Sequence, residues 1–133
     1  MLLLHADTSY MAKVLVVDDE AVLSHVLRIT LESHGHEVTT ADDGSRGFAS
    51  AQRHAPDAIV LDLMMPVMDG FAVLEALRSD ERTAAVPVVV LSAIGTGYAE
   101  EHCYRLGARA YLRKPFDSDH LLGVLDEVVN ASS

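Results

Sequence analysis

Several apolar runs of this chain end on groups that a dry sheet would not choose. "KVLVV" (residues 13–17) leads into Asp18, Asp19 and Glu20, "DAIVL" (57–61) into Asp62, and "VPVVVL" (86–91) into Ser92; Lys114 follows "ARAYL" (108–112). Brought together, carboxylates, a hydroxyl and an ammonium have a joint chemistry. Three carboxylates on one rim, those of Asp18, Asp19 and Asp62, repel by about 4 kcal/mol per pair at 4 Å for an effective dielectric near 20, and Lys114 answers with one positive charge. A hard divalent cation would cancel the deficit, and oxygen ligands with room for water suit Mg²⁺, for which Mn²⁺ could substitute. An ionised Asp62 beside a cation and an ammonium is placed to attack phosphorus without a general base, giving an acyl phosphate.

Each residue also has a plainer reading. "DDE" can be a helix start, where acids favour the positive end of the helix dipole. Asp62 alone reads as a salt-bridge partner or strand-end cap, Ser92 as a hydroxyl capping the next helix, and Lys114 as a solvated lysine before a proline turn. Convergence decides between the two sets of readings, and convergence depends on the elements that carry these residues.

The strand-like runs are "KVLVV" (13–17), "EVTTA" (37–41), "DAIVL" (57–61), "VPVVVL" (86–91) and "ARAYL" (108–112). Helical patterns lie between them. The first covers about 20–34, with Val22, Leu23, Val26, Leu27 and Leu31 on one face and Gly35 as its stop. Others cover about 44–54, 71–79, 98–106 and 117–129. Five strands alternating with five helices predict an α/β domain with a parallel sheet covered on both faces. Such a doubly wound sheet gathers ligands outside the carboxyl ends of its strands. Asp18, Asp19, Asp62, Ser92 and Lys114 all fall on that rim.

The chain has 133 residues, a size for one domain with a real core. Half of them are hydrophobic and 23% charged, a globular composition. A formal net charge of −10 argues against direct nucleic-acid or anionic-membrane binding, since a phosphate backbone needs a basic face. Cys103 is the single cysteine, so an internal disulfide is excluded. "MLLLHADTSY" has three leucines in a row and no basic segment before them, so it reads as neither signal peptide nor membrane span, and the expected location is the cytoplasm.

"VLVVDDE", "IVLDLMMPVMDG", "VVVLSA" and "AYLRKPF", in this order and spacing, resemble the receiver domain of two-component response regulators. The resemblance covers about residues 12–130, leaving 1–11 as an extension and 131–133 as a tail. It implies a flavodoxin-like sheet of order 2-1-3-4-5. It also implies that Asp62 accepts a phosphoryl group from a histidine kinase or histidine phosphotransfer protein. Asp19 and Asp62 would then ligate Mg²⁺ directly with the backbone carbonyl of Met64, and Asp18 partly through water. Ser92 and Lys114 would hold the phosphoryl oxygens, with Ala93 small enough to admit them. Ser92 and Tyr111 would form a switch acting on the face made by the fourth helix, fifth strand and fifth helix, where an unidentified target protein or a second copy would dock. A cis bond before Pro115 belongs to the same expectation.

Met64 and Ile94 lie two residues beyond Asp62 and Ser92, flanking the path of an attacking water that neither can orient. Slow self-dephosphorylation is therefore expected. With no output domain after the last helix, the domain is expected to act by docking. A haloacid-dehalogenase-like phosphatase would need a second Asp where Met64 stands, and a flavodoxin-like electron carrier would not place acids in its first loop. A phosphate-independent docking module of the same fold is the alternative. The seven histidines make no ligand spacing and read as solvated surface, while Cys103 reads as partly buried and unreactive.

Overall fold

The computed structural model describes residues 11–132; the extension expected over 1–11 lies outside them except for Met11. Its elements alternate throughout. They are β1 (Lys13–Val17), α1 (Ala21–Glu32), β2 (Glu37–Ala41), α2 (Gly44–His54), β3 (Ala58–Asp62), α3 (Gly70–Ser79), β4 (Val88–Ser92), α4 (Gly97–Arg105), β5 (Ala110–Arg113) and α5 (Ser118–Ser132). All strand pairs are parallel and the sheet order is β2-β1-β3-β4-β5. This is the doubly wound, flavodoxin-like arrangement expected. Three strands reach one step further than the apolar runs predict: Asp62, Ser92 and Arg113 are themselves the last residues of β3, β4 and β5, Asp62 paired in register with Leu91 and Ser92 with Arg113.

Strand alternation divides the interior into two layers. Val14, Val16, Ala58, Val60, Val89 and Leu91 face one layer, closed by Leu27 and Leu31 of α1 and Leu121 and Leu125 of α5. Leu15, Val17, Ile59, Leu61, Val88 and Val90 face the other, closed by Ala51 of α2, Leu74 and Leu77 of α3 and Cys103 of α4. β3 and β4 are buried along their whole length, so they read as continuous apolar runs. Among the described residues no helix is long and apolar enough to cross a membrane.

Three helices start on side-chain caps. Asp43 accepts from the Arg46 N–H at 2.8 Å, Asp69 from Ala72 at 3.0 Å and Thr96 from Ala99 at 3.3 Å, each worth about 1 kcal/mol. α1 starts at Glu20 without a side-chain cap, because the Glu20 carboxylate is engaged elsewhere. At the opposite end of α1, Gly35 takes φ +91°, the left-handed turn its glycine permits.

The histidine after it departs from the surface reading. His36 is buried, and its Nδ1 accepts the Ala12 N–H at 3.2 Å, tying β1 to the turn before β2. Burial holds its pKa below the usual histidine range. Folding therefore favours the neutral ring, while the unfolded chain takes up a proton near pH 6.5. Stability from this group is full above that pH and falls as pH drops through 6.5 toward the lowered folded value. A thermal-melt series from pH 7 to 5.5 should show the wild type losing stability more steeply than His36→Asn, which keeps an acceptor for Ala12 but does not titrate.

Candidate functional site

The rim residues come from four strand ends. Asp18 follows β1 and is 3% exposed; its main-chain N–H bonds the Ala41 carbonyl at 3.1 Å, which continues the β1–β2 ladder by one residue. Asp62 ends β3, also 3% exposed. By alternation both belong with the residues over the α1/α5 layer. Ser92 ends β4, fully buried, on the opposite layer. Lys114 follows β5, half-buried, with its N–H on the Ser92 carbonyl at 2.9 Å, and the Lys114–Pro115 peptide is cis.

The Lys114 ammonium gathers the acids. Nζ lies 2.8 Å from Glu20 Oε1, 3.3 Å from Asp18 Oδ2 and 3.4 Å from Asp62 Oδ1. Carboxylate oxygens of Asp18, Glu20 and Asp62 all fall within 4.8 Å of one another. Asp19 does not share in this group. It is exposed and lines, with Asp18, His25 and Arg28, an open cleft of about 630 Å³ between α1 and the end of β2. Glu20 is the residue that sequence reasoning passed over, taking it only as a helix-favouring acid; a glutamate at an N-cap, where shorter side chains cap better, is the signal that could have singled it out.

The electrostatics follow from burial. Asp62 is pushed above the usual carboxylate range by loss of water and then by the Asp18 charge, with Lys114 and the Met64 N–H (3.3 Å from Oδ1) pulling the other way. Asp18 is likewise raised by burial, against the Glu20 N–H on Oδ1 at 2.8 Å and the Lys114 charge. Burial pulls Lys114 down, but its bond to Glu20 and the charges of Asp18 and Asp62 outweigh this and hold it above the usual lysine value. Two buried carboxylates and a third at the surface, against one ammonium, form an all-oxygen set deficient in positive charge. That donor set fits a hard divalent cation.

The loop after Asp62 is tightly constrained. A Cβ at Gly70 would lie 2.6 Å from the Asp62 carbonyl oxygen, so α3 can begin directly beneath the strand end only with glycine there. Between them the Met68 N–H bonds the Pro66 carbonyl at 2.8 Å, and Val67 at the tip takes φ +69° while fully exposed. A β-branched residue there carries strain of about 1–2 kcal/mol. Met64 is 62% exposed. On the β4 side, Ala93 is exposed and Ile94 half-buried. Ser92 Oγ accepts the Ile94 N–H at 3.0 Å, and the Tyr111 hydroxyl, turned inward, donates to the Ile94 carbonyl at 2.7 Å.

A five-stranded doubly wound sheet with buried acids and one lysine at its carboxyl edge defines a signalling α/β domain of the receiver class. The chain belongs to the response regulator receiver domain family, which it matches over residues 14–126. It is 36% identical to protein PilH of Pseudomonas aeruginosa over 90% of this chain and 98% of that protein. It is 44% identical to the DNA-binding dual master transcriptional regulator RpaA of Synechocystis over 84% of this chain, but spans 46% of that relative's length. The receiver domain of a P. aeruginosa sensor histidine kinase, solved with magnesium coordinated in its active-site cleft, matches with a TM-score of 0.83 and 33% identity over 90% of this chain and 98% of that one. Receiver domains of two-component systems are signalling modules that interact with histidine kinases and downstream targets, not turnover enzymes on a separate substrate.

Because the folded state raises both aspartate pKa values, their contribution to stability is fullest below about pH 3.8 and is lost as pH rises through the raised folded values. At neutral pH the site therefore opposes folding. Asp62→Asn, which keeps an acceptor for Met64 and leaves Lys114 with Asp18 and Glu20, should raise the melting temperature at pH 7 in the presence of a chelator. A gain of roughly 3–5 °C corresponds to about 1 kcal/mol in a domain of this size; an unchanged or lower value by calorimetry would contradict the account.

Proposed function

We propose that Asp62 accepts a phosphoryl group from the phosphohistidine of a histidine kinase or histidine phosphotransfer protein, and that the modification switches the α4-β5-α5 face. The observation that carries this reading is the Lys114 ammonium 3.4 Å from Asp62 Oδ1, inside a buried acidic group at the sheet's carboxyl edge. An Asp62 carboxylate oxygen attacks phosphorus, the phosphorus–nitrogen bond of the donor breaks, and the imidazole leaves with its electron pair. The product is a mixed anhydride on Asp62. Lys114 neutralises phosphoryl oxygens in the loose transition state. Ser92 donates its hydroxyl proton to one of them, and exposed Ala93 leaves room for their approach.

Asp19 and Asp62 would hold Mg²⁺ or Mn²⁺ with the backbone carbonyl of Met64, and Asp18 would act partly through water; Asp19, which lines the adjoining cleft, would have to turn inward to do so. When bound, the cation supplies charge neutralisation at the phosphoryl oxygens. Glu20, at the open side of the site, competes for Lys114 in the unmodified state. The donor's docking surface is supported by Val22 (79% exposed), Val26 (48%) and Ile29 (53%), a stripe at helical spacing on α1 that begins two residues beyond Glu20; Val22 and Val26, which periodicity grouped with Leu23, Leu27 and Leu31, turn away from the core that Leu27 and Leu31 enter. The switch is supported by the Tyr111–Ile94 bond, since any movement of Ser92 toward the phosphate must disturb it.

Incubation with acetyl phosphate and intact-mass analysis tests the chemistry. A gain of one phosphoryl group that needs Mg²⁺ and disappears in Asp62→Asn is expected; no gain in the wild type would leave a phosphate-independent docking module as the better reading. In the same reading, Mg²⁺ should raise the melting temperature of the wild type more than that of Asp62→Asn.

The half-life of the anhydride gives a further check. Neither exposed Met64 nor apolar Ile94 can orient a hydrolytic water, so self-dephosphorylation is slow. Met64→Asn combined with Ile94→Glu should shorten the half-life about tenfold or more, less than the roughly 10²–10⁴-fold that a fully positioned acid–base group contributes. An unchanged half-life would remove these two positions from the account.

A further inference from the structure

β5 carries Tyr111 and Arg113 two residues apart, on one side of the strand. Both reach the loop 93–96 between β4 and α4, and they do so at consecutive residues. The Tyr111 hydroxyl bonds the Ile94 carbonyl. The Arg113 guanidinium lies against Gly95: a Cβ there would overlap Nη2 and sit 2.9 Å from Cζ and 3.4 Å from Nε. The positive-φ glycines among the described residues are Gly35 and Gly107, so Gly95 has a backbone that alanine can adopt. The guanidinium occupies the room that a side chain at Gly95 would take.

We propose that Arg113 is a positioning residue of the phosphoacceptor site, holding the β4–α4 loop in its resting arrangement through Gly95. The inference rests on the reading of Asp62 as phosphoacceptor. The Arg113 backbone is fixed on its inner side, its Cα in register with Ser92 and the next N–H on the Ser92 carbonyl. One short strand therefore presents both the ammonium that meets the phosphoryl group and a grip on the loop that must close on it. Movement of Ser92 toward Asp62 draws Gly95 past the guanidinium plane, so the contact favours the unmodified state. Removing it makes closure easier.

A double-mutant cycle on the whole chain tests this, using Arg113→Ala, Gly95→Ala, the double variant and Arg113→Lys. Both positions are exposed, and a new methyl at Gly95 meets only the movable end of a long side chain, so the fold is kept. Two quantities are read: the affinity for fluoroberyllate in Mg²⁺, a non-reacting mimic of the phosphoryl group, and amide hydrogen exchange at residues 94–96 without any anion. Each alanine variant should bind fluoroberyllate about threefold more tightly and exchange faster in the loop, and the double variant should add little to either. Arg113→Lys, lacking the planar face, should fall between wild type and Arg113→Ala. Strictly additive effects, or loop exchange unchanged in Arg113→Ala, overturn the hold. A wild type that ignores fluoroberyllate while Arg113→Ala still loosens the loop overturns the phosphoacceptor reading instead, and the positioning role with it.

Discussion

A single ammonium set among three carboxylates at the end of a buried sheet is the constraint around which this domain is arranged. Lys114 reaches Asp18, Glu20 and Asp62 together because β1, β3 and β5 end within two residues of one another in the sheet's register, which is fixed by apolar side chains on both faces. A one-residue slip would turn those side chains inside out. The core thus fixes the position of the charges, and the charges work against the core: burial raises the pKa of both aspartates. The stability lost there is supplied by the two apolar layers, where Val16, Leu31, Leu61 and Leu74 are sealed from solvent.

The supporting contacts show how closely the loops are held. Gly44 and Gly47 let α2 approach so near that a Cβ at Gly47 would meet Val17, and one at Gly44 the side chain and carbonyl of Met68. α2 therefore braces the loop that follows Asp62, as Gly70 does from below. α1 shows the opposite arrangement. Its N-cap residue turns its carboxylate to Lys114 at 2.8 Å rather than to its own first turn, so one helix start is left to the site.

Much of this was legible in the sequence because it follows from periodicity. The runs at 13–17 and 37–41 coincide with β1 and β2, and 44–54 with α2, since a continuous apolar run, a partly alternating one and a well-placed cap leave little ambiguity. The ends of β3 and β4 were less legible: Asp62 and Ser92 are polar, so an apolar pattern stops one residue before the hydrogen bonding does. Three neighbouring acids, Asp18, Asp19 and Glu20, are indistinguishable by type and differ by the direction each takes as the chain leaves the strand; that is a matter of backbone geometry, which composition does not carry. His36 was misjudged because its value lies in one lone pair for the Ala12 N–H, a long-range bond between residues 24 apart in sequence.

Because alternate residues of each strand line different layers, the rim belongs to both while the layers remain separate. Asp18 and Asp62 stand over the side closed by α1 and α5, Ser92 and Tyr111 over the side closed by α2, α3 and α4. The outer surfaces of α1 and α4 are thus built on different packing neighbourhoods joined through a handful of rim residues. Substitutions that alter one surface leave the other's foundation untouched. A lineage of such chains can change what it meets on one side while keeping what it meets on the other, and the rim is the part least free to drift.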